Sequence, residues 1–276
     1  MLKDIFKDHK AWIIFTYSIT VLEFALFAFL PYLLGKAIDS LLADNTEDFV
    51  FYIGCSVAGL IVGFVRRRMD TRVFMSIWRI KAIDTINSLI GRGVPTAKLF
   101  SRSQLVKRYP DFFEFTIPLM VSATMEIAIA SVMICLVVFW TGLIVTGLAI
   151  LAVASSWLFS LLIRRIENRM QLIRERRDKA LSERNMAAVE EEYVHLTKDW
   201  IKYSDLDAYC WGVCDLLGIV ATVFLTLAVV EADASIGMIL ASVTYCVKMF
   251  ERSGFMAYFF NHIQELAVFK EFLEGD

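Results

Sequence analysis

Residues 236–272 read IGMILASVTYCVKMFERSGFMAYFFNHIQELAVFKEF, and the fold turns on this stretch. It is apolar enough to cross a bilayer, yet Lys248, Glu251 and Arg252 stand near its middle. At about 100° per residue, Lys248, Glu251, Arg252, Phe255, Phe259 and His262 fall on one side of a helix. Charges at such depth are costly and face a protein interior or a watery cavity. The stretch therefore predicts a membrane helix that forms the wall of a pathway.

The rest of the chain has the same character. It is 58% hydrophobic and 21% charged, with a mean hydropathy of +0.59, which points to a polytopic membrane protein and away from a soluble domain. Six apolar runs stand out, at about 12–34, 49–65, 118–140, 143–163, 208–230 and 236–260. Each is near the ~20 residues that a bilayer requires. Six such runs are too many for a helical bundle to hide in water. The third and fourth runs are separated only by Thr141 and Gly142, which predicts a tight hairpin. Met1 to Lys10 is charged and leads into a run long enough to span, so no cleavable signal peptide is expected. The five cysteines (Cys55, Cys135, Cys210, Cys214, Cys246) lie in or near apolar runs and read as small buried hydrophobes. Cys210 and Cys214, four residues apart, could ligate a metal with His262, but no second ligand pair accompanies them and packing is the simpler reading. Trp12 and Trp140 read as interface anchors.

Lysine and arginine set the expected orientation. Eleven lie between runs two and three and ten between runs four and five, while Lys3, Lys7 and Lys10 precede run one. The opposite loops carry Asp39, Asp44, Glu47, Asp48, Glu231 and Asp233. Both termini are thus expected in the cytoplasm of a multi-pass plasma (inner) membrane protein. The basic clusters follow from this topology and need no nucleic-acid partner.

The two basic connections are helical in pattern. Residues 66–90 contain no proline or glycine and keep apolar residues at helical spacing, which extends run two by nearly 40 Å at about 1.5 Å per residue. Gly91, Gly93 and Pro95 end that helix, and 97–109 predicts a short charged helix. Residues 164–193 form a second charge-laced extension, with Glu190, Glu191 and Glu192 marking the turnaround.

Six spans with short outer loops and two long intracellular helical hairpins resemble the transmembrane domain of ABC transporters of the type I exporter fold. The wording agrees: PYLLGKAIDSLL (31–42) resembles that family's end of the first helix, and LFSRSQLVKRYPDFFEFTIP (99–118) its first coupling-helix region. ASIGMILASVTYCVKMFERSGFMAYFFNHIQELAVFKEFLEG (234–275) resembles its sixth helix, which in the family leads into the ATPase domain. The resemblance implies an all-α, domain-swapped dimer of this chain with itself or with a homologous half. It places the contacts to an ATPase at Ser101, Arg102, Gln104 and Leu105 and at Glu190, Glu191 and Glu192. The chain departs from the family in two ways. No GxxxxGK[ST] phosphate loop is present, and the second hairpin, LSERNMAAVEEEYVHL (181–196), lacks the glycine expected near its coupling turn. The chain is thus expected to be no enzyme and to bind no cofactor; ATP would act only through a separate subunit.

Charges inside the spans are the candidate functional groups. Glu23 lies in span one, Glu126 in span three one turn after Ser122, Asp215 in span five, and the charged stripe in span six. One account pairs Lys248 and Arg252 with Glu23, Glu126, Asp215 or Glu251 as interhelical salt bridges. The other exposes the carboxylates to a cavity, where they bind a cationic substrate or carry protons, with Glu23, Glu126 and Glu251 as candidates. The sequence thus predicts a transporter of an amphipathic organic or peptidic solute working by alternating access, energised by a separate ATPase or a proton gradient. An ion channel or a non-transporting membrane scaffold remains the alternative.

Overall fold

The computed structural model describes residues 10–91, 107 and 110–274; beyond Phe260 only the backbone of the last helix is described. Six long helices follow one another: α1 (Lys10–Leu42), α2 (Glu47–Gly91), α3 (Ile117–Val137), α4 (Phe139–Ser182), α5 (Met186–Glu231) and α6 (Ile236–Glu274). A π-helical turn, Phe112–Thr116, leads into α3. No strand occurs among the described residues. The chain is an all-α membrane protein, as its hydropathy predicts.

Five helices, α1 to α5, are long and apolar enough to cross a membrane by length and composition. The sixth, α6, is 39 residues long but sets Lys248, Glu251 and Arg252 within five positions of one another. Helix length explains the predicted extensions. At about 1.5 Å per residue, α2, α4 and α5 each approach 70 Å, roughly twice the ~30 Å hydrocarbon thickness. Only α3, with 21 residues, is cut to the span itself. The charged halves of α2, α4 and α5 therefore project beyond the bilayer as continuous helix.

Two turns differ from the sequence expectation. The α3–α4 break falls at Val138, whose backbone is extended, so Thr141 and Gly142 form the first turn of α4. A β-branched residue suits the extended conformation, and Gly142 leaves room for the returning chain. A methyl group built there would stand 2.7 Å from the Cys135 Cα. The α4–α5 turn falls at 183–185, ahead of the three glutamates. Arg184 adopts φ 53°, and Asn185 caps α5 by accepting a hydrogen bond from the Ala188 amide at 3.2 Å. Glu190, Glu191 and Glu192 thus ride in the second turn of α5.

The main core lies among α3, α4, α5 and α6. It is built from Ala130, Ile134, Val145, Ala149, Ala152, Ala221, Leu225 and Met249, with Tyr245 and Phe250 sealing it. Small residues dominate, as they do where membrane helices approach closely. Beyond the span, α4 and α5 are zipped by Met170, Ile173 and Leu196. Outward-facing apolar side chains such as Leu136, Trp140 and Ile219 are well over half exposed, which suits a lipid-facing surface.

At the acidic end, α1 crosses the start of α6. A methyl group on Gly237 would overlap the Gly35 carbonyl oxygen, and one on Gly35 would strike the Gly237 backbone. Asp39, expected as a loop charge, caps α6 instead. Its Oδ1 accepts from the Gly237 amide at 2.8 Å and its Oδ2 from the Ser235 hydroxyl, while Ser235 Oγ accepts from the Met238 amide at 3.3 Å. A carboxylate there satisfies orphan amides and meets the helix dipole. Gly237→Ala is therefore expected to destabilise the bundle by about 1–3 kcal/mol. Gly54→Ala, where a methyl group meets nothing within 4 Å, is expected to be neutral. Thermal melts of the two variants in detergent check the contrast.

Candidate functional site

The charges inside the bundle gather at two places. The first joins α3 to α6. Arg252 donates from Nε to Glu126 Oε2 at 2.9 Å and from Nη2 to Oε1 at 3.1 Å, a bidentate pair. Ser122, one turn earlier on α3, donates to Glu126 Oε1 at 3.0 Å. The guanidinium also sits 5.7 Å from the Phe255 ring, which meets Trp211 of α5 edge-on at 5.3 Å. Glu126, Arg252 and Phe255 thus share one site at the junction of α3, α5 and α6.

The second lies where α1, α2 and the π-helical turn meet. Glu23 is fully buried and is paired by Arg66 Nε of α2. Arg66 Nη1 reaches Asp70 Oδ2 at 2.6 Å, one turn further on. Thr71 donates to Glu114 Oε1 at 2.8 Å, and the Tyr17 hydroxyl donates to the Phe113 carbonyl at 3.0 Å. Arg66, Asp70 and Glu114 are all buried. Sequence reasoning pairs Glu23 with Lys248 or Arg252; the structure gives it Arg66. The reason is Gly63, where a methyl group would lie 2.5 Å from Glu23 Oε1. Without a side chain there, α1 lies close to α2, and Arg66 one turn below closes over the carboxylate. The Gly59–Gly63 pair is therefore taken up by α1, with Gly59 against Phe27.

The remaining predicted residues lie apart. Lys248 is half-buried and Glu251 exposed, on the side of α6 away from the buried line of Ser242, Tyr245, Met249 and Ser253. Neither forms an ion pair among the described residues. Phe259 is half-buried and touches Phe260, their centroids 5.9 Å apart. Asp215 is exposed on the outer face of α5, next to buried Cys214. His262 lies on α6, its side chain outside the described residues, as are Ser101, Arg102, Gln104 and Leu105. Glu190 and Glu191 are exposed, Glu191 lying 3.9 Å from His195. Glu192 lines a cleft of about 460 Å³ between the projecting parts of α4 and α5. Buried Asp199 forms its floor, 3.6 Å from Arg169 and 3.8 Å from Lys202. Cys210 and Cys214 are buried against the Ser156 hydroxyl, at 3.8 and 3.5 Å, and Ser156 donates to the Ser253 carbonyl of α6 at 3.1 Å.

Sequence reasoning missed Arg66, Asp70 and Glu114 as site residues. The i, i+4 spacing of Arg66 and Asp70 was the available signal; nothing local marks Glu114. Replacing Arg252 or Glu126 singly by Gln is expected to destabilise the chain, and a double-mutant cycle is expected to give a coupling of about 1–3 kcal/mol. Denaturation of the four proteins in detergent checks it, and additive effects would contradict the pairing.

A family model for the ABC transporter transmembrane region matches residues 2–237. No curated protein matches the chain.

Proposed function

The chain belongs to the ABC transporter transmembrane family, and from that premise we propose that it moves an amphipathic organic or peptidic solute across the plasma membrane by alternating access. The transmembrane region of such transporters is their non-catalytic part, so the energy must arrive from elsewhere. A separate ATPase subunit docked near 99–107 and 186–194 is one source; an ion gradient is the other. The excess of Lys and Arg on the projecting helices supports a cytoplasmic position for that end and for both termini.

The observation that carries this reading is the family match, joined to helices that outrun the bilayer. Some 40 Å of helix beyond the membrane suits a transporter driven from the cytoplasm, which needs levers of that kind, better than a channel or scaffold. Dimerisation follows from the same parts. The projecting hairpin of α4 and α5 buries only its own thin seam, and Leu172, Trp200 and Ile201 stay exposed along it. A second copy or a homologous half would cover them. In that dimer the less buried side of α6, with Lys248, Glu251, Arg252, Phe255 and Phe259, would face the pathway between the halves. The same stripe would suit an ion pore, which keeps the channel as second reading.

Purification from native membranes in mild detergent, followed by mass spectrometry, tests the proposal. A stoichiometric ATPase subunit is expected if the chain is half of a split transporter. A dimer without ATPase is expected if an ion gradient drives it, with solute accumulating in proteoliposomes under a proton gradient. Failure to accumulate any solute with ATPase and ATP, or under a gradient, would overturn the transporter reading.

A further inference from the structure

The junction of α1, α2 and the π-helical turn holds more negative charge than it can bury. Glu23, Asp70 and Glu114 stand at 2, 3 and 6% exposure, and Arg66, at 7%, is the sole cation hydrogen-bonded or ion-paired to them among the described residues. With every carboxyl ionised, two negative charges would be in excess inside a membrane protein. An uncompensated buried charge costs several kcal/mol, and a group so placed takes up a proton instead. The hydrogen bonds tell the same story from another side. Asp70 Oδ1 and Glu114 Oε2 are buried and accept no hydrogen bond from the described residues. Two buried acceptors without a partner each need a donor, and a protonated carboxyl supplies an O–H where a carboxylate cannot.

Among the described residues nothing else nearby supplies that donor. Arg66 is committed to Glu23 and Asp70, and Thr71 to Glu114 Oε1. Tyr17, from α1, gives its proton to the Phe113 carbonyl. Arg67 and Arg72 of α2 are exposed, and Lys107 and Asp111 pair at 3.9 Å outside the cluster. α6 also touches the π-helical turn, and the side chain of its His262 lies outside the described residues. Asp70 lies within electrostatic reach of Arg66, Glu114 and Glu23. The π-helical turn brings Phe113, Glu114 and Thr116 inward at once, and such turns recur at functional sites.

We propose that Asp70 and Glu114, beside the Glu23–Arg66 pair, form a proton-binding site that holds a proton at neutral pH. The site joins three segments, α1, α2 and the lead into α3, so its occupancy is coupled to how they pack. Loss of the proton restores the charge excess and favours an arrangement that admits water or a cation. The inference holds whichever energy source drives the module, and its failure would leave the transporter reading untouched.

Infrared spectroscopy of the full chain in lipid nanodiscs tests it. In choline buffer at neutral pH, wild type is expected to show the carbonyl stretch of a protonated carboxylic acid. Asp70→Asn or Glu114→Gln is expected to abolish that band, and His262→Gln to leave it unchanged. Both amide variants are expected to melt at or above the wild-type temperature under alkaline conditions, because an amide has no charge to bury. A wild type without the band overturns the proposal, as does a band that survives both amide substitutions. If the band is missing and sodium or potassium raises the melting temperature, a metal cation fills the place and the proposal fails. A band that appears only in His262→Gln would assign the neutralising charge to His262 and overturn it equally.

Discussion

A charge inside a hydrocarbon slab must find a partner, and this helix bundle is arranged around that requirement. Arg252 of α6 and Glu126 of α3 tie the sixth helix to the third. Arg66 of α2 and Glu23 of α1 tie the first two helices together. At the opposite end, Asp39 of α1 meets the open amides of α6. Two of the three links join helices far apart in sequence, and each fixes a depth and a rotation that apolar packing alone leaves loose. Lipid tails are as apolar as leucine, so a membrane bundle gains little from burying leucine. Polar links then decide which helix sits beside which.

Those links depend on missing side chains as much as on charged ones. Gly63 lets Glu23 lie against α2, and Gly35 and Gly237 let α1 and α6 cross with their backbones touching. Two of the segments that resemble ABC exporter helices, 31–42 and 234–275, meet at this crossing. Gly35 and Asp39 come from one, Ser235 and Gly237 from the other. The two segments thus meet in one contact, a close helix crossing capped by a carboxylate.

The two charge clusters differ in balance, and the difference matters for function. Glu126 and Arg252 cancel one another, with Ser122 completing the acceptors. That is a structural tie, and it lies at the edge of the less buried side of α6. Among the described residues the cluster around Arg66 does not cancel. Glu23 and Asp70 share one guanidinium, and Glu114 is held beside them by Thr71, at the level where α2 leaves its apolar run. A balanced pair holds helices in place, whereas an unbalanced cluster responds to what binds it.

Much of this was legible in the sequence. Hydropathy alone gave six helices, because a bilayer demands about 20 apolar residues per crossing. The absence of proline and glycine over 66–90 foretold a helix running far past the membrane, and α2 reaches Gly91 unbroken. Glu23, Glu126 and Arg252 announced themselves as charges in apolar surroundings. The partners were hidden for a physical reason. Arg66 looks like one of eleven cations flanking a span, and its role arises only because Gly63 brings α1 within reach. Asp70 and Glu114 lie 44 residues apart in the chain and outside the apolar runs, so no local pattern unites them. The turn at Asn185 was written in its capping side chain, yet the three glutamates after it drew the eye. Composition and periodicity are local properties, and they fixed the class, the helices and the depth of each charge. Pairing is a property of distance between helices, and only the tertiary structure decided which charge is cancelled and which is not.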